Sequence, residues 1–137
     1  MNPNYTGGLA QAQARRQVAL IRESQKEYER TGKVEARPKV SDAPTPRSSH
    51  AAAFERKMGY KISNLAQVKR DFPDTDVEKI LSKGRAAYAS SGSRPNVTPE
   101  QWAKARLASV LTGGNALMVD KDLVGPISQR AIARAER

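Results

Sequence analysis

The chain has 137 residues, 38% hydrophobic and 5% aromatic, with a mean hydropathy of −0.68, and so little apolar material predicts a small packed unit with long appendages. Its 24 Lys and Arg against 14 Asp and Glu give a net charge of +10 and a pI near 10.2, an attraction to anionic surfaces that does not choose among them. The absence of cysteine excludes a disulfide framework and thiolate metal sites, and no run forms a signal peptide's apolar segment or approaches the ~20 apolar residues of a membrane span, so a soluble, unsecreted protein is expected.

Residues 1–8 are a polar lead ending in Gly7-Gly8, with Tyr5 as the side chain able to anchor it. Over residues 9–31, Ala14, Val18, Ile21, Gln25 and Tyr28 recur at alternating spacings of four and three, a narrow apolar stripe on a charged helix that Gly32 closes. A stripe this narrow suits docking on a partner, through Val18, Ile21 and Tyr28. Packing on the chain's own core is the competing reading. Residues 33–49 hold three prolines and almost no large apolar side chain. They cannot offset an ordering cost of about 1–2 kcal/mol per residue, so an extended linker is predicted, with Pro44-Thr45-Pro46 as a spacer of polyproline character.

Ser48 or Ser49 can cap a short helix that ends at Gly59. Its start carries His50, the sole histidine, which lacks the carboxylate or thiol neighbours of a metal or catalytic site. After a turn at 60–64, Leu65, Val68 and Phe72 line a helix over 64–72 that Pro73 stops. Thr75-Asp76-Val77-Glu78 has the form of a capping box opening a helix over 75–89. That helix places Val77, Ile80, Leu81, Gly84 and Tyr88 on one face, and Gly84 there implies close backbone approach, beneath Trp102.

Ser90-Ser91-Gly92-Ser93-Arg94-Pro95-Asn96 is a polar connection in which Gly92 permits positive φ and Pro95 holds Arg94 extended, so the loop is shaped. Thr98-Pro99-Glu100-Gln101 is a second capping box with Pro99 at the first helical position, and it predicts a helix over 98–112 with a left-handed stop at Gly113-Gly114. The expected core is Leu65, Val68, Phe72, Val77, Ile80, Leu81, Tyr88, Trp102, Leu107, Val110 and Leu111. Beyond it, residues 116–119 read as a short extended cover. Pro126 starts a basic helix to about 136 with Ile127, Ala131 and Ala135 along one edge. The fold class is all-α: a small irregular helical module over 50–124 and a helix over 125–137, preceded by a helical arm over 1–32 and a Pro-rich linker over 33–49.

The residues Gly84, Tyr88, Ser90 to Asn96, Thr98-Pro99, Trp102, Ala105 to Ser109, Thr112-Gly113-Gly114 and Val119-Asp120 carry a resemblance. The stretch resembles a module of unknown function found in proteins of tailed phages and large DNA viruses. The resemblance implies a viral setting and no catalytic residues. It marks Gly84, Tyr88, Pro95, Thr98, Pro99, Trp102, Arg106, Gly113 and Gly114 as structural positions.

No reaction chemistry is specified. Asp71, Asp74, Asp76 and Glu78 cluster, and Asp120 stands near Asp122, but neither group has calcium-loop spacing or a histidine partner, and helix N-termini account for the first. No Gly-x-Ser-x-Gly occurs, and Thr112-Gly113-Gly114-Asn115 lacks the Lys-Ser/Thr of a phosphate loop. Lys83, Arg85, Arg94, Lys104 and Arg106 flank Tyr88 and Trp102, a mixture suited to phosphates and bases, while Arg94 and Arg106 are equally able to bond loop carbonyls. The expectation is a non-enzymatic virion protein without cofactor, assembled in a reducing host cytoplasm. It would be a minor capsid or cement protein whose partners are the major capsid protein and other minor subunits, with contact to packaged DNA open; Arg94 and Asn96 join the docking candidates. A basic viral DNA-binding protein is the alternative.

Overall fold

The computed structural model describes residues 1–42, 45 and 47–134. Among these, the chain forms seven α-helices and two short 3-10 turns without a strand, so the protein is all-α. It divides into two compact units, Met1–Pro46 with Arg85–Trp102, and Arg47–Gly84 with Ala103–Arg137.

In the first unit a 3-10 turn, Pro3–Tyr5, precedes α1, Gln11–Thr31, which ends where Gly32 takes a left-handed φ of 71°. The buried residues of α1 are Gln17 and Ile21. Of the expected stripe, only Ile21 is fully enclosed, while Ala14, Val18, Gln25 and Tyr28 are half-buried. The reason is chemical. The amide side chains of Gln17 and Gln25 donate to the carbonyls of Ser93 (3.4 Å) and Ser91 (3.2 Å), so this helix docks partly through hydrogen bonds that apolar periodicity does not register.

Residues 32–41 have no helix or strand, as the proline content predicts, yet they are tied down. Val40 is buried, and the Arg37 guanidinium lies 3.8 Å from the centre of the Tyr88 ring. Arg37 also donates to Ser24 Oγ, the Tyr88 carbonyl and Ser93 Oγ at 2.7–3.0 Å, while its backbone N–H donates to the Tyr88 hydroxyl at 2.8 Å. One planar cation thereby adds several fixed contacts to the little ordering that hydrophobic burial supplies. Residues 43, 44 and 46, including most of the Pro44-Thr45-Pro46 run, lie outside the described residues.

The second unit holds α2 (Ser49–Met58), α3 (Leu65–Asp71), the first half of α4 (Val77–Ser90), most of α5 (Pro99–Leu111), α6 (Asn115–Asp120) and α7 (Pro126–Arg134). Its core joins Phe54, Ile62, Val68, Phe72, Val77, Ile80, Leu81, Leu107, Val110, Leu111, Val124 and Ile132 with Ala103 and Ala108. Phe54, Ile62, Val124 and Ile132 were not among the expected core residues. Leu65 is only partly buried. Gly84 is buried, and a Cβ on it would lie 2.7 Å from the Cα of Ala103, the neighbour of Trp102 in sequence, so the expected close approach is present.

Three local expectations change. Asp76, not Thr75, caps α4 by accepting from the Lys79 N–H at 3.1 Å. Thr75 is held one residue earlier by an antiparallel bridge to Val124, and its buried hydroxyl has no partner among the described residues. Residues 116–119 are helical, since α6 starts as soon as the stop after α5 is complete. There the N–H groups of Gly113 and Gly114 donate to the carbonyls of Val110 and Ser109, a Schellman arrangement with Gly113 at φ 74°. Finally, α7 buries Ser128 and Ile132 and leaves Ile127 52% exposed. The Asp74 carboxylate accepts from the N–H groups of Ile127 and Ser128 and from the Ser128 hydroxyl, which turns Ser128 inward; Ala135 lies outside the described residues.

Candidate interaction site

The loop over residues 91–98 in the first unit is the most strongly shaped irregular segment of the chain. Its entry requires glycine. Gly92 has φ 131°, and a Cβ there would sit 2.8 Å from the Tyr5 ring and 3.2 Å from Ile21 Cγ2. Tyr5 therefore does anchor the N-terminal lead, and it also meets Trp102 edge to face with ring centres 6.4 Å apart. Trp102 is half-buried instead of belonging to the closed core, and Tyr88 is fully enclosed.

From there the loop is bonded on several sides. Ser93 is 1% exposed. Its carbonyl accepts from Gln17, its hydroxyl accepts from Arg37, and the same hydroxyl donates to the Arg94 carbonyl at 2.9 Å. Pro95 and Asn96 make the turn, Asn96 at a left-handed φ of 63° that its short amide tolerates. The Asn96 side chain accepts from the Val40 N–H at 2.9 Å and donates to the carbonyl and hydroxyl of Ser41, and its own carbonyl accepts from the Thr45 hydroxyl. The exit is the reciprocal box read from the sequence: Gln101 N–H donates to Thr98 Oγ1 (3.1 Å), and Thr98 N–H donates to Gln101 Oε1 (3.0 Å).

Among the docking candidates, Ile21 and Asn96 are thus engaged by the chain itself, and Val18 and Tyr28 keep partial exposure. Arg94 differs. Its side chain is exposed, and among the described residues no hydrogen bond or ion pair engages the guanidinium. A fixed backbone presenting one uncommitted guanidinium can receive a carboxylate or phosphate in two-point geometry without first ordering the loop.

Three of the four cations grouped with it in sequence have other work. Arg106 donates to both carboxylate oxygens of the fully buried Asp120 at 2.9 Å, and Lys83 donates to the same group at 2.5 Å. Burial alone would raise the Asp120 pKa, but bonds to Arg106 and Lys83 outweigh it and hold the carboxyl below its ordinary value. Arg106 therefore binds a carboxylate and not a loop carbonyl. Arg85 is bidentate to Glu100 at 2.6 and 3.1 Å. Three cations of the expected phosphate-and-stacking set are thus paired within the chain, and Tyr88 is enclosed.

The carboxylate cluster is likewise divided among structural partners. Asp71 accepts from Tyr60 and Gln67, Asp74 caps α7, Asp76 caps α4, and Glu78 pairs with Lys69. Burial and the bond to Asp71 push the Tyr60 hydroxyl pKa upward. Asp120 is the residue whose role the sequence hid, because a buried acid looks the same in sequence as an exposed one. Among the described residues no helix is long and apolar enough to cross a membrane, and no group of three or more His, Cys, Asp or Glu is placed to hold a metal ion.

In comparison with known proteins, the model described as "Family of unknown function (DUF5824)" matches residues 3–124. No curated protein and no solved structure matches the chain.

Proposed function

The chain belongs to DUF5824, a family of unknown function, and from that premise we propose that it is a non-enzymatic structural protein of a virus particle, a minor capsid or cement protein that links neighbouring subunits. The observation that carries this reading is the 91–98 loop, fixed by bonds from Gln17, Arg37 and the Val40 N–H, with the Arg94 side chain left exposed and uncommitted among the described residues. A docking point needs such a preformed contact. The viral setting is supported by the resemblance of residues 84–120 to the phage and viral module, and the basic charge of +10 suits acidic faces of major capsid subunits.

The test is density-gradient purification of particles from host cells producing the chain, with quantification against the major capsid protein. The chain should sediment with particles at a fixed ratio. Arg94→Glu should lower that ratio about tenfold or more, as for loss of one desolvated charge pair, and Arg94→Lys should retain part of it. A chain found wholly in the soluble fraction refutes the proposal.

A further inference from the structure

The first unit has a second feature that the loop does not use. An open groove of about 380 Å³ along α1 is lined by the apolar Ala14, Val18 and Ala19 together with Thr6, Arg15 and Arg22. Arg15 and Arg22 are exposed, seven residues apart on one helix face, and no hydrogen bond or ion pair engages either among the described residues. The helix's own acids cannot serve them. Glu23 and Glu27 line a different depression, beside Ser24, Lys33 and Arg37, and Glu27 is already paired with Arg30.

We infer that this groove docks an acidic amphipathic helix of a partner protein, whose carboxylates stand two turns apart on either side of a small apolar patch. At a rise of about 1.5 Å per residue, Arg15 and Arg22 are separated by about 10.5 Å along the axis. A facing helix repeats that distance on one side at its own seven-residue interval. A strand, with same-face positions about 6.8 Å apart, does not. Between the arginines along the axis, Val18 and Ala19 are small enough for the two helix axes to approach to the usual ~8–10 Å, with Val18 as the apolar contact. A nucleic-acid backbone would satisfy the arginines but leave the methyl groups of Ala14, Val18 and Ala19 uncovered. The inference rests on the structural-protein reading and names the chemistry of one partner surface.

The test uses the full chain and three fluorescent probes: a stapled helical peptide with Glu at positions i and i+7 flanking Ala and Leu, an isomer of the same composition with the Glu residues on the opposite face, and a short DNA duplex. Fluorescence anisotropy is read at low and physiological salt. The first peptide should bind about five- to thirty-fold more tightly than its isomer, the range expected of two exposed ion pairs, and should weaken with salt. The double variant Arg15→Glu/Arg22→Glu should erase that preference with an unchanged circular dichroism spectrum, since both positions are exposed. Val18→Asp should weaken binding of the first peptide. Equal binding of the two peptides, no saturable binding below about 1 mM, or a double variant that loses only DNA affinity would each overturn the inference. If the double variant still incorporates into particles, the groove assignment fails while the structural role stands. If the wild-type chain binds the peptide but never joins particles, the reverse holds.

Discussion

Replacing Gly84 by alanine sets two effects of known size against each other. In an unconstrained helix interior, alanine is favoured over glycine by about 1 kcal/mol. At Gly84, however, the added methyl would lie 2.7 Å from Ala103 Cα, 3.1 Å from its Cβ and 3.5 Å from its carbonyl oxygen. Carbon pairs pack at about 3.5–4.0 Å, so the two backbones must separate by roughly 1 Å. Because the nearest atom belongs to the backbone, no rotamer change relieves the overlap. Overpacking of this kind costs about 1–3 kcal/mol, and a shift along the whole helix contact places Gly84→Ala at the upper end. The net expectation is a loss of about 1–2 kcal/mol, a fall in Tm on the order of 5–10 °C, measured by thermal and urea unfolding followed by circular dichroism. Adding Ala103→Gly should restore only part of this, because it removes the 3.1 Å contact and keeps the 2.7 Å one. A Gly84→Ala chain as stable as the parent would falsify the close approach of α4 and α5.

Further outcomes follow from the buried and bonded groups. Asp120→Ala strands Arg106 and Lys83 and should destabilise the chain by about 3 kcal/mol, at the low end for a broken buried pair because both cations retain some access to water; urea unfolding that is unchanged would contradict the triad. The folded-state pKa of Asp120 lies below its unfolded value, so its contribution is complete above the unfolded value and fades as pH falls through the folded one. Acid titration of the parent should therefore show a stability loss that Asp120→Asn lacks. Arg37→Ala removes the three side-chain bonds of the extended segment and leaves the backbone bond to Tyr88 and the Asn96 bonds to Val40 and Ser41, so trypsin should cleave after Lys33 markedly faster while the core of the second unit keeps its protection; equal cleavage rates would mean that the remaining bonds hold residues 32–41. Asp74→Ala removes the cap of α7, so amide exchange over residues 127–134 should accelerate, and an unchanged rate would show that Ile132 alone seats the helix.

The helices were legible because their signals are local. Gly32 and Gly59 end α1 and α2, and the Thr98 and Gln101 box opens α5, each through bonds within a few residues in the chain. Gly84 announced a close contact by its lack of a side chain. The apolar face of α4 was visible for the same reason, since a period of 3.6 residues is written in the residues themselves.

What the sequence could not carry are choices made by distant partners. Which face of α1 turns inward depends on the carbonyls of Ser91 and Ser93, 66 and 76 residues away along the chain from the glutamines that reach them. Whether residues 33–41 are loose or fastened depends on Arg37 finding Tyr88, and whether Arg106 is free for a ligand depends on Asp120 being buried beside it. Composition sums side chains without their addresses, so it underestimates a chain ordered by a few well-placed polar bonds. By itself the sequence determined an all-α protein and the ends of most of its helices, because those are decided by near neighbours. Only the tertiary structure decided which cations are already paired and which, such as Arg94, stay exposed, because pairing is a property of distance in space.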